Sequence, residues 1–495
     1  MAAKKRTTKP SRPAKVHGVK KPKPTAEQAG SAPPAVLVVN MIPRSLSNET
    51  NQDSEPFLAV NLADPEQIAA SAFTPDPMGG PNAPIYVSTD GGNTWWLNSI
   101  VPSDSGSQTG THDITLAFAS AGGNLYSGIL RDPTVDFERL RTADFTNPAP
   151  MQNIGDRSDN DQPFTQAITN AGKDRVYIGN NDFQAQPKTA TVDVSVNAGA
   201  ANPAFNSVRV ESRSTAGQNG PQIRPVAHPS GKAYAAFYGW RSQTGSFPGN
   251  TLVVTTDVVV VRDDQGGSGA NAFQDLTDPT DGLPGRLVAQ NVALPFHQSG
   301  TTASGQQRLG GTLSIAVDPR PDQDQTVYLA WGDQQPQSTF TLHIRSSTDG
   351  GVTWSPADLL TVPNALNAAL AINSEGIIGL LYQQLMGSGA SSRWVTHFRS
   401  TTNGVNWNDL VLATTPAQVP AKSFDPYLGD YDHLVAVGRD FFGIFSANNT
   451  PNQANFPNGV RYQRNVDFQH HTLLGTDNTS PVAASIDPFF FKVSG

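Results

Sequence analysis

Short apolar runs of four or five residues recur along the chain, each followed by a turn and a second, more aromatic run. They are rich in small and β-branched residues, and helical spacing of apolar positions is absent. Neighbouring runs mostly start about 50–65 residues apart, the size of a four-stranded propeller blade with long loops. We therefore predict an all-β propeller with seven blades. The seven first runs are Pro56–Val60, His112–Leu116, Asp161–Phe164, Gly220–Ile223, Leu313–Val317, Ala368–Ile372 and His433–Val437.

One short motif within these units has the chemistry of a tight turn. Ser88–Trp95 reads Ser-Thr-Asp-Gly-Gly-Asn-Thr-Trp, and Ser347–Trp354 differs from it at one position. A weaker third copy, Ser400–Trp407, keeps the serine, one glycine and the tryptophan. The aspartate can accept hydrogen bonds from the turn, the glycines allow positive φ, and the tryptophan has a large face to bury. The predicted turn residues are Ser88, Asp90, Gly92, Thr94 and Trp95; Ser347, Asp349, Gly351, Thr353 and Trp354; and Ser400, Gly404 and Trp407.

This motif resembles the Asp-box, or BNR, repeat of sialidases and related β-propellers. The resemblance implies that the motif joins strands c and d of a blade, with strands lettered a to d outward from the channel. It also implies a binding site on the opposite face, which collects the loops leading into strand a and leaving strand b. A sialidase would have six blades, so six is the alternative to seven. Ala35–Val39 and Phe489–Val493 are the candidates to close the ring, because pairing of the termini removes a free sheet edge.

The loops expected on that binding face are dense in carboxylates, amides, arginines and aromatic residues. Such a mixture suits sugars, whose hydroxyl groups need donors and acceptors and whose apolar faces stack on rings. The leading hypothesis is a sialidase-like propeller that binds a glycan or another polar ligand there, with no catalysis assigned. The predicted ligand-binding residues are Arg131, Arg157, Arg241, Arg308, Asp430 and Trp240. The same loops supply Glu49, Asp53, Glu55, His112, Gln218, Asn219, Asp132, Asp425 and Asp432.

Hydrolysis is the alternative from another functional class. The family resemblance implies an exo-sialidase with three arginines on the substrate carboxylate, a tyrosine nucleophile and an aspartate acid/base. Asp113 and Tyr431 would fill the last two roles in this chain. The family's first arginine motif, Phe/Tyr-Arg-Ile-Pro, is replaced by Met41-Ile42-Pro43-Arg44, and no glutamate stands in a loop beside Tyr431.

Three aspartates form the one candidate metal site. Asp156, Asp159 and Asp161 lie within six residues, and carboxylate oxygens this close could hold Ca²⁺. The spacing lacks the glycine and distal glutamate of an EF-hand, so an Asp-rich turn before strand a is the favoured interpretation. No other cofactor is predicted.

Composition separates an N-terminal tail from the rest of the chain. Residues 1–28 carry nine basic residues against Glu27, a net charge of +8, whereas the whole chain of 495 residues carries −8. We predict a disordered Lys/Pro-rich tail over residues 1–34 and a single propeller domain over residues 35–495. The tail is either an inert extension or a tether that docks a scaffold protein onto a polyanion.

The chain as given shows no apolar run of membrane-spanning length and no secretory signal sequence. It also contains no cysteine, which excludes disulfides and thiol chemistry. Neither observation predicts a cellular compartment.

Overall fold

The computed structural model describes Met1 and residues 35–74, 80–102, 111, 113–131, 135–246, 251–296, 308–334, 340–421, 423 and 426–495. Residues Ala35–Gly495 form one compact unit. Within the described residues the regular structure is β-strand and short 3₁₀-helix, and none of the helices has the length and hydrophobicity needed to span a bilayer. The 3₁₀-helices are Arg44–Leu46, Leu309–Gly311, Gly389–Ser391 and Gln453–Asn455.

The strands follow one another with few interruptions. The first half of the chain contains β1 Val36–Asn40, β2 Phe57–Val60, β3 Ile68–Ser71, β4 Ala83–Ser88, β5 Trp96–Val101, β6 Ile114–Phe118, β7 Leu125–Arg131, β8 Asp136–Thr142, β9 Gln152–Arg157, β10 Asn160–Asn170, β11 Lys173–Asp182, β12 Thr189–Ser195, β13 Asn206–Arg209, β14 Ile223–Ala227, β15 Ala233–Thr244 and β16 Val253–Asp263. The second half contains β17 Arg286–Pro295, β18 Leu313–Val317, β19 Val327–Gln334, β20 Phe340–Ser347, β21 Leu360–Pro363, β22 Ala365–Ile372, β23 Ile378–Met386, β24 Arg393–Thr401, β25 Asn408–Pro416, β26 His433–Val437, β27 Asp440–Asn448, β28 Arg461–Tyr462, β29 Val466–Asp467, β30 Thr472–Leu474, β31 Pro481–Val482 and β32 Ile486–Val493.

These strands form propeller blades. Blades 1 to 6 are the four-stranded antiparallel sheets β2–β5, β6–β9, β10–β13, β14–β17, β18–β21 and β22–β25. Blade 7 is the sheet β26-β27-β32-β1-β28, and β29–β31 form a small separate sheet. The first strands β2, β6, β10, β14, β18, β22 and β26 contact one another in sequence, and β26 contacts β2, which closes the ring. The all-β propeller predicted from the sequence is therefore confirmed.

The apolar runs identified in the sequence lie at the centre of this ring. Five of the seven form most of the first strand of a blade, and the third run, Asp161–Phe164, lies at the start of β10. The fourth run, Gly220–Ile223, reaches β14 at Ile223 alone, because the strand continues through Arg224 and Pro225 rather than through an apolar sequence. The order of the apolar runs along the sequence is therefore the order of the blades around the channel.

Both chain termini complete blade 7. β32 pairs antiparallel with β27 on one side and with β1 on the other, in the register Val36 with Val493 and Asn40 with Phe489. The two candidates for closure, Ala35–Val39 and Phe489–Val493, therefore act together in one blade. Both edges of β32 are paired, one with β27 and one with β1, as expected for a closed ring.

The Ser-Thr-Asp-Gly-Gly turns join the third and fourth strands of blades 1 and 5. Asp90 Oδ1 accepts hydrogen bonds from Ser88 Oγ and Thr94 N, both at 2.9 Å, and its Oδ2 accepts one from Thr94 Oγ1 at 2.6 Å. Asp349 makes the same three bonds, at 2.6–2.8 Å, with the corresponding residues of its own turn. These bonds lower the pKa of both aspartates, because they stabilise the charged form.

The third copy of the turn is built differently from the prediction. Thr401, not Ser400, supplies the hydroxyl group, which donates to Asn403 Oδ1 at 3.1 Å and accepts from Gly404 N at 3.0 Å. Ser400 remains in the ladder of β24, opposite Asn408. This copy lacks the aspartate. Thr401 and Asn403 form its side-chain hydrogen bonds, each one position later in the motif than the serine and aspartate of the other two copies.

The tryptophans of the turns differ in burial. Trp95 is 4% exposed and packs against Phe490 of β32, with ring centroids 5.2 Å apart. Gly92 approaches the same Phe490 ring so closely that a Cβ there would collide with it, and its φ is +87°. Trp354 and Trp407 are partly buried. Trp95 is therefore buried more deeply than Trp354, which is partly buried and packs against the core.

A group of buried charged residues lies where β1, β32 and the segment before β2 meet. Arg464 is fully buried, and its Nη1 lies 3.0 Å from Asp487 Oδ2. Its Nη2 donates to the carbonyl oxygens of Ser47 and Glu49, at 3.0 and 2.7 Å. Burial, and then the charge of Asp487, raise the pKa of Glu49 to about 8. This group ties the N-terminal segment to blade 7.

Candidate functional site

The loops that lead into the first strands bring four carboxyl groups together at one end of the channel. Glu55 precedes β2, Asp113 precedes β6, Asp161 lies in β10 and Asp430 precedes β26. Together with burial, the nearby Asp113 raises the pKa of Glu55, Asp161 and Asp430, which shows that the four groups lie close to one another. We call Glu55, Asp113, Asp161 and Asp430 the carboxylate cluster.

Arg308 compensates part of this negative charge. Its Nε donates to Asp430 Oδ1 at 2.8 Å, and its Nη2 contacts Asp430 Oδ2. The same Nη2 lies 3.6 Å from Glu55 Oε1. Arg308 therefore joins blades 1, 5 and 7 across the end of the channel.

Two glycines allow this close approach. A Cβ on Gly311 would collide with the carbonyl oxygen of Asp430, so the loops before β18 and β26 touch through their backbones. Gly429 has a φ of +93°, and a Cβ there would collide with the backbone nitrogen of Glu55. Larger residues at either position would push the carboxyl groups apart.

The carboxyl groups cannot all be ionised at neutral pH, because they lie close to one another and Glu55 and Asp430 are buried. Burial, and then the charge of Asp113, raise the pKa of Glu55 well above its ordinary value. The same two causes raise the pKa of Asp161 to about 7. Burial raises the pKa of Asp430 to about 6, even though Arg308 favours its charged form. The cluster therefore holds protonated and ionised carboxyl groups side by side.

An aromatic layer lies directly beneath the cluster. The rings of Phe57 and His433 stack with centroids 3.9 Å apart, and Phe164 packs edge-on to Phe57 at 5.1 Å. The guanidinium carbon of Arg224 lies 4.1 Å from the Phe164 ring centroid. Burial lowers the pKa of His433 to about 3 and that of Arg224 to about 10. His433 is therefore neutral, and Arg224 supplies a second positive charge below the carboxyl groups.

Tyr431 belongs to this layer. It is 4% exposed and lies edge-on to Phe57 and Phe164, with centroids 6.0 and 6.4 Å away. Burial, followed by the charges of Glu55 and Asp113, raises its pKa well above the ordinary value. The structure thus places Tyr431 next to carboxyl groups, but its surroundings disfavour the phenolate that a nucleophile would need.

The other predicted arginines do not converge on the cluster. Arg131 contacts Glu138 and the carbonyl oxygen of Pro102 in its own part of the ring. Arg157 forms ion pairs of 2.7 Å with Asp182 and Asp193. Arg241 pairs with Asp257 at 2.6 Å and Glu211 at 2.9 Å. Each guanidinium is engaged in a separate network, whereas Arg308 alone of the four reaches the carboxylate cluster.

The three aspartates proposed as a metal site are also separated. Asp161 faces the carboxylate cluster, while Asp156 accepts a hydrogen bond from Asn153 Nδ2 at 2.6 Å on an exposed strand. The backbone nitrogen of Asp159 donates to Asp136 at 3.0 Å. Within the described residues no group of three or more His, Cys, Asp or Glu could hold a metal ion. The calcium hypothesis is therefore not supported by this geometry.

Trp240 lies beside the channel end rather than in it. It is 4% exposed, and its Nε1 donates to Gln222 Oε1 at 2.7 Å. The predicted face also includes His112, Asp132 and Asp425, which lie outside the described residues.

Sequence reasoning did not assign site roles to Glu55 and Arg224. Glu55 has the same signal as Asp113 and Asp430, a carboxylate one to three positions before an apolar first strand. Arg224 lies within the first strand β14. A charged residue at that position indicates a side chain that faces the channel or a neighbouring blade.

Comparisons with known proteins give similar folds at low sequence identity. An α-L-arabinofuranosidase of Fusarium graminearum, in complex with an iminosugar inhibitor, aligns over 92% of this chain and 97% of its own, with 10% identity and a TM-score of 0.41. An α-L-arabinanase of Penicillium chrysogenum, complexed with arabinobiose, aligns over 91% and 97%, with 13% identity and a TM-score of 0.38. No protein-family model and no curated protein sequence matches the chain. At these values the likeness carries no conclusion about activity.

Proposed function

We propose that the protein binds a glycan at the carboxylate cluster and cleaves a glycosidic bond there. The observation that carries this proposal is the pairing of Asp113 with Asp161. Both side chains are partly exposed, whereas Glu55 and Asp430 are buried behind them. Asp161 has a pKa of about 7, raised in part by the charge of Asp113. Glycoside hydrolysis needs a carboxyl group that still holds its proton near neutral pH and a second carboxyl group close to it.

The proposed roles follow from protonation and exposure. Asp161 donates its proton to the glycosidic oxygen as the bond to the anomeric carbon breaks. A water molecule from solvent adds to the anomeric carbon and gives its proton to the carboxylate of Asp113, which also stabilises the positive charge that develops on the sugar ring. Glu55, Asp430 and Arg308 act as positioning residues, because the two carboxyl groups are buried beside the reacting pair and Arg308 binds both of them. The charge of Arg308 also lowers the pKa of Asp430, which opposes the increase that burial causes.

A sialidase mechanism receives less support from this site. Recognition of a sialic acid carboxylate by a cluster of arginines would need free guanidinium groups, and Arg131, Arg157 and Arg241 are engaged elsewhere. A neutral or weakly charged sugar suits the excess of carboxyl groups better. Glycan binding without hydrolysis is the second candidate, favoured by the deep burial of Glu55 and Asp430.

The proposal is tested with a panel of fluorogenic aryl glycosides that includes α-L-arabinofuranosides, common hexosides and a sialoside. Asp113→Asn and Asp161→Asn should each lower kcat about 10²–10⁴-fold, because each removes one member of the acid/base pair. Asp156→Asn is the matched control, since that aspartate lies on an exposed strand away from the cluster.

The alternatives give different results. Turnover of the sialoside that disappears in Tyr431→Phe would replace the proposal with the sialidase mechanism. Capture of glycans on an array without turnover of any aryl glycoside would leave binding as the function. Turnover that is unaffected by Asp113→Asn and Asp161→Asn would refute the assigned roles.

A further inference from the structure

A cleft of about 560 Å³ lies between blades 3 and 4, on the same face as the carboxylate cluster. The residues before β14, the end of β15 and the loop after β11 form its walls. A volume of this size is in the range of small-molecule sites in proteins. The proposed catalytic residues do not line it.

Uncharged polar groups dominate the described walls of this cleft. Amide side chains come from Gln186, Gln218, Asn219 and Gln243, and the charged residue among the described lining residues is Lys188. The ammonium group of Lys188 lies 3.5 Å from the centroid of the Phe183 ring. Amides offer both donors and acceptors, which is the pattern needed by hydroxyl groups rather than by an ion.

One of these amides has an unused acceptor. Gln218 is 2% exposed, and its Nε2 lies 3.4 Å from Gln222 Oε1. Its Oε1 is buried and accepts no hydrogen bond within the described structure. A buried acceptor without a donor is costly, so a rotation of the Gln218 side chain that turned Oε1 toward the cleft would let it accept a hydrogen bond from a ligand hydroxyl group.

The cleft is linked to the carboxylate cluster through packed side chains. Trp240 lines the cleft, bonds to Gln222, and lies edge-on to Phe296 with centroids 6.1 Å apart. The guanidinium carbon of Arg308 lies 5.8 Å from the Phe296 ring centroid. Trp240 and Phe296 therefore form an aromatic wall between the cleft and Arg308, and a ligand that reached both places would run along the outside of this wall.

From these contacts we infer that the cleft is a subsite for uncharged sugar residues of an oligosaccharide whose reacting end lies at the carboxylate cluster. The inference rests on the proposed function and narrows its substrate to neutral oligosaccharides longer than a disaccharide. Gln218 and Gln243 are the specificity-determining residues, because their amides bind hydroxyl groups and offer nothing to a carboxylate or phosphate.

The test is titration calorimetry of the full chain carrying Asp113→Asn, so that ligands are not cleaved. The probes are arabino-, xylo-, gluco- and manno-oligosaccharides of two to six residues, together with oligogalacturonides as acidic counterparts. At least one neutral series should bind more tightly as it lengthens from two to four residues. Adding Gln218→Ala or Gln243→Ala should weaken the tetrasaccharide about five- to tenfold and leave the disaccharide unchanged.

Gln243 is exposed, so Gln243→Ala tests the cleft even where Gln218→Ala disturbs folding. Gln453→Ala, an exposed glutamine in a 3₁₀-helix elsewhere, is the matched control and should change nothing. The subsite is overturned if no neutral oligosaccharide binds, if both variants bind the tetrasaccharide normally, or if oligogalacturonides bind more tightly. Aryl glycoside turnover by the wild-type protein is measured separately. Its absence together with cleft-dependent binding would refute the hydrolase and leave the subsite standing.

Discussion

The guanidinium group of Arg308 holds Asp430 through its Nε, 2.8 Å from Oδ1, and so ties blade 5 to blade 7 across the channel. Glu55 of blade 1 lies 3.6 Å from the same group. One arginine thus offsets the charge of two buried carboxyl groups.

Replacing this arginine should destabilise the fold in a pH-dependent way. Arg308→Met would remove the guanidinium group that contacts both Asp430 and Glu55 and leave these buried carboxyl groups without an ion pair, at a cost of about 3–5 kcal/mol in the free energy of unfolding near pH 8. The loss should be smaller at pH 5, because Asp430, with a pKa of about 6, is then protonated. Urea unfolding at both pH values measures the difference. Arg439→Met, which breaks the exposed pair with Glu375, is the control and should cost less than about 1 kcal/mol.

Activity should be lost as the pH rises. Asp161, with a pKa of about 7, must be protonated to act as the general acid, so kcat should fall above about pH 7. The pH profile of aryl glycoside hydrolysis measures this limb. A rate that keeps rising up to pH 9 would exclude Asp161 from the role.

Glu49→Gln should stabilise the protein at alkaline pH. The folded pKa of Glu49 is about 8, whereas the unfolded chain releases this proton near pH 4.3. The folded protein holds the proton of Glu49 more tightly than the unfolded chain does. The stability that this gives is fully present below about pH 4 and is lost as the pH rises through about 8. The glutamine variant avoids this loss, so it should exceed the wild type at pH 9 by on the order of 2 kcal/mol. Denaturant unfolding at pH 5 and pH 9 tests it, with exposed Glu66→Gln as a control that should show no such trend.

The turn tryptophans should differ in their contribution to stability. Trp95→Ala removes a 4% exposed ring packed on Phe490 and should cost about 3–5 kcal/mol. Trp407→Ala removes a partly buried ring in the equivalent turn of blade 6 and should cost less. Thermal and urea unfolding of both variants gives the comparison, and equal losses would show that burial does not decide the effect.

The basic tail is tested by deleting residues 1–28. If the tail binds a polyanion, heparin or DNA binding should weaken steeply with salt, with a log–log slope of roughly several units. Deletion should abolish that binding and leave the melting temperature of the remaining chain unchanged, since the segment has little to bury. Binding that survives the deletion would move the site to residues 29–495, which carry a net charge of −16.

The parts of the structure that were predictable from the sequence depend on local interactions. Asp90 bonds to residues two and four positions away, so the whole turn is readable from eight residues. Asp113, Asp430 and Tyr431 stand immediately before apolar first strands, and a propeller places that position at the channel end.

The remaining features depend on partners far away in the sequence. Arg157 bonds to Asp193, which lies 36 positions later, and nothing near either residue signals the pair. The arginines were therefore expected to converge on a ligand when they in fact bind carboxylates between neighbouring strands. The pKa of Asp161 likewise depends on Asp113 in the preceding blade, so the acid role that we propose for it was not predictable.

The pairing of β1 with β32 sets the order of folding events. Asn40 donates a hydrogen bond to Asp487, 447 positions later, so the first strand of the unit has no sheet partner until nearly all of it has been synthesised. Contacts this distant are slow to form, because a long loop must close before they are gained. Blade 7 is therefore expected to be completed last during folding. A chain shortened before Ile486 leaves β1 and β27 with open edges, which makes it a candidate for aggregation and degradation rather than a smaller working protein.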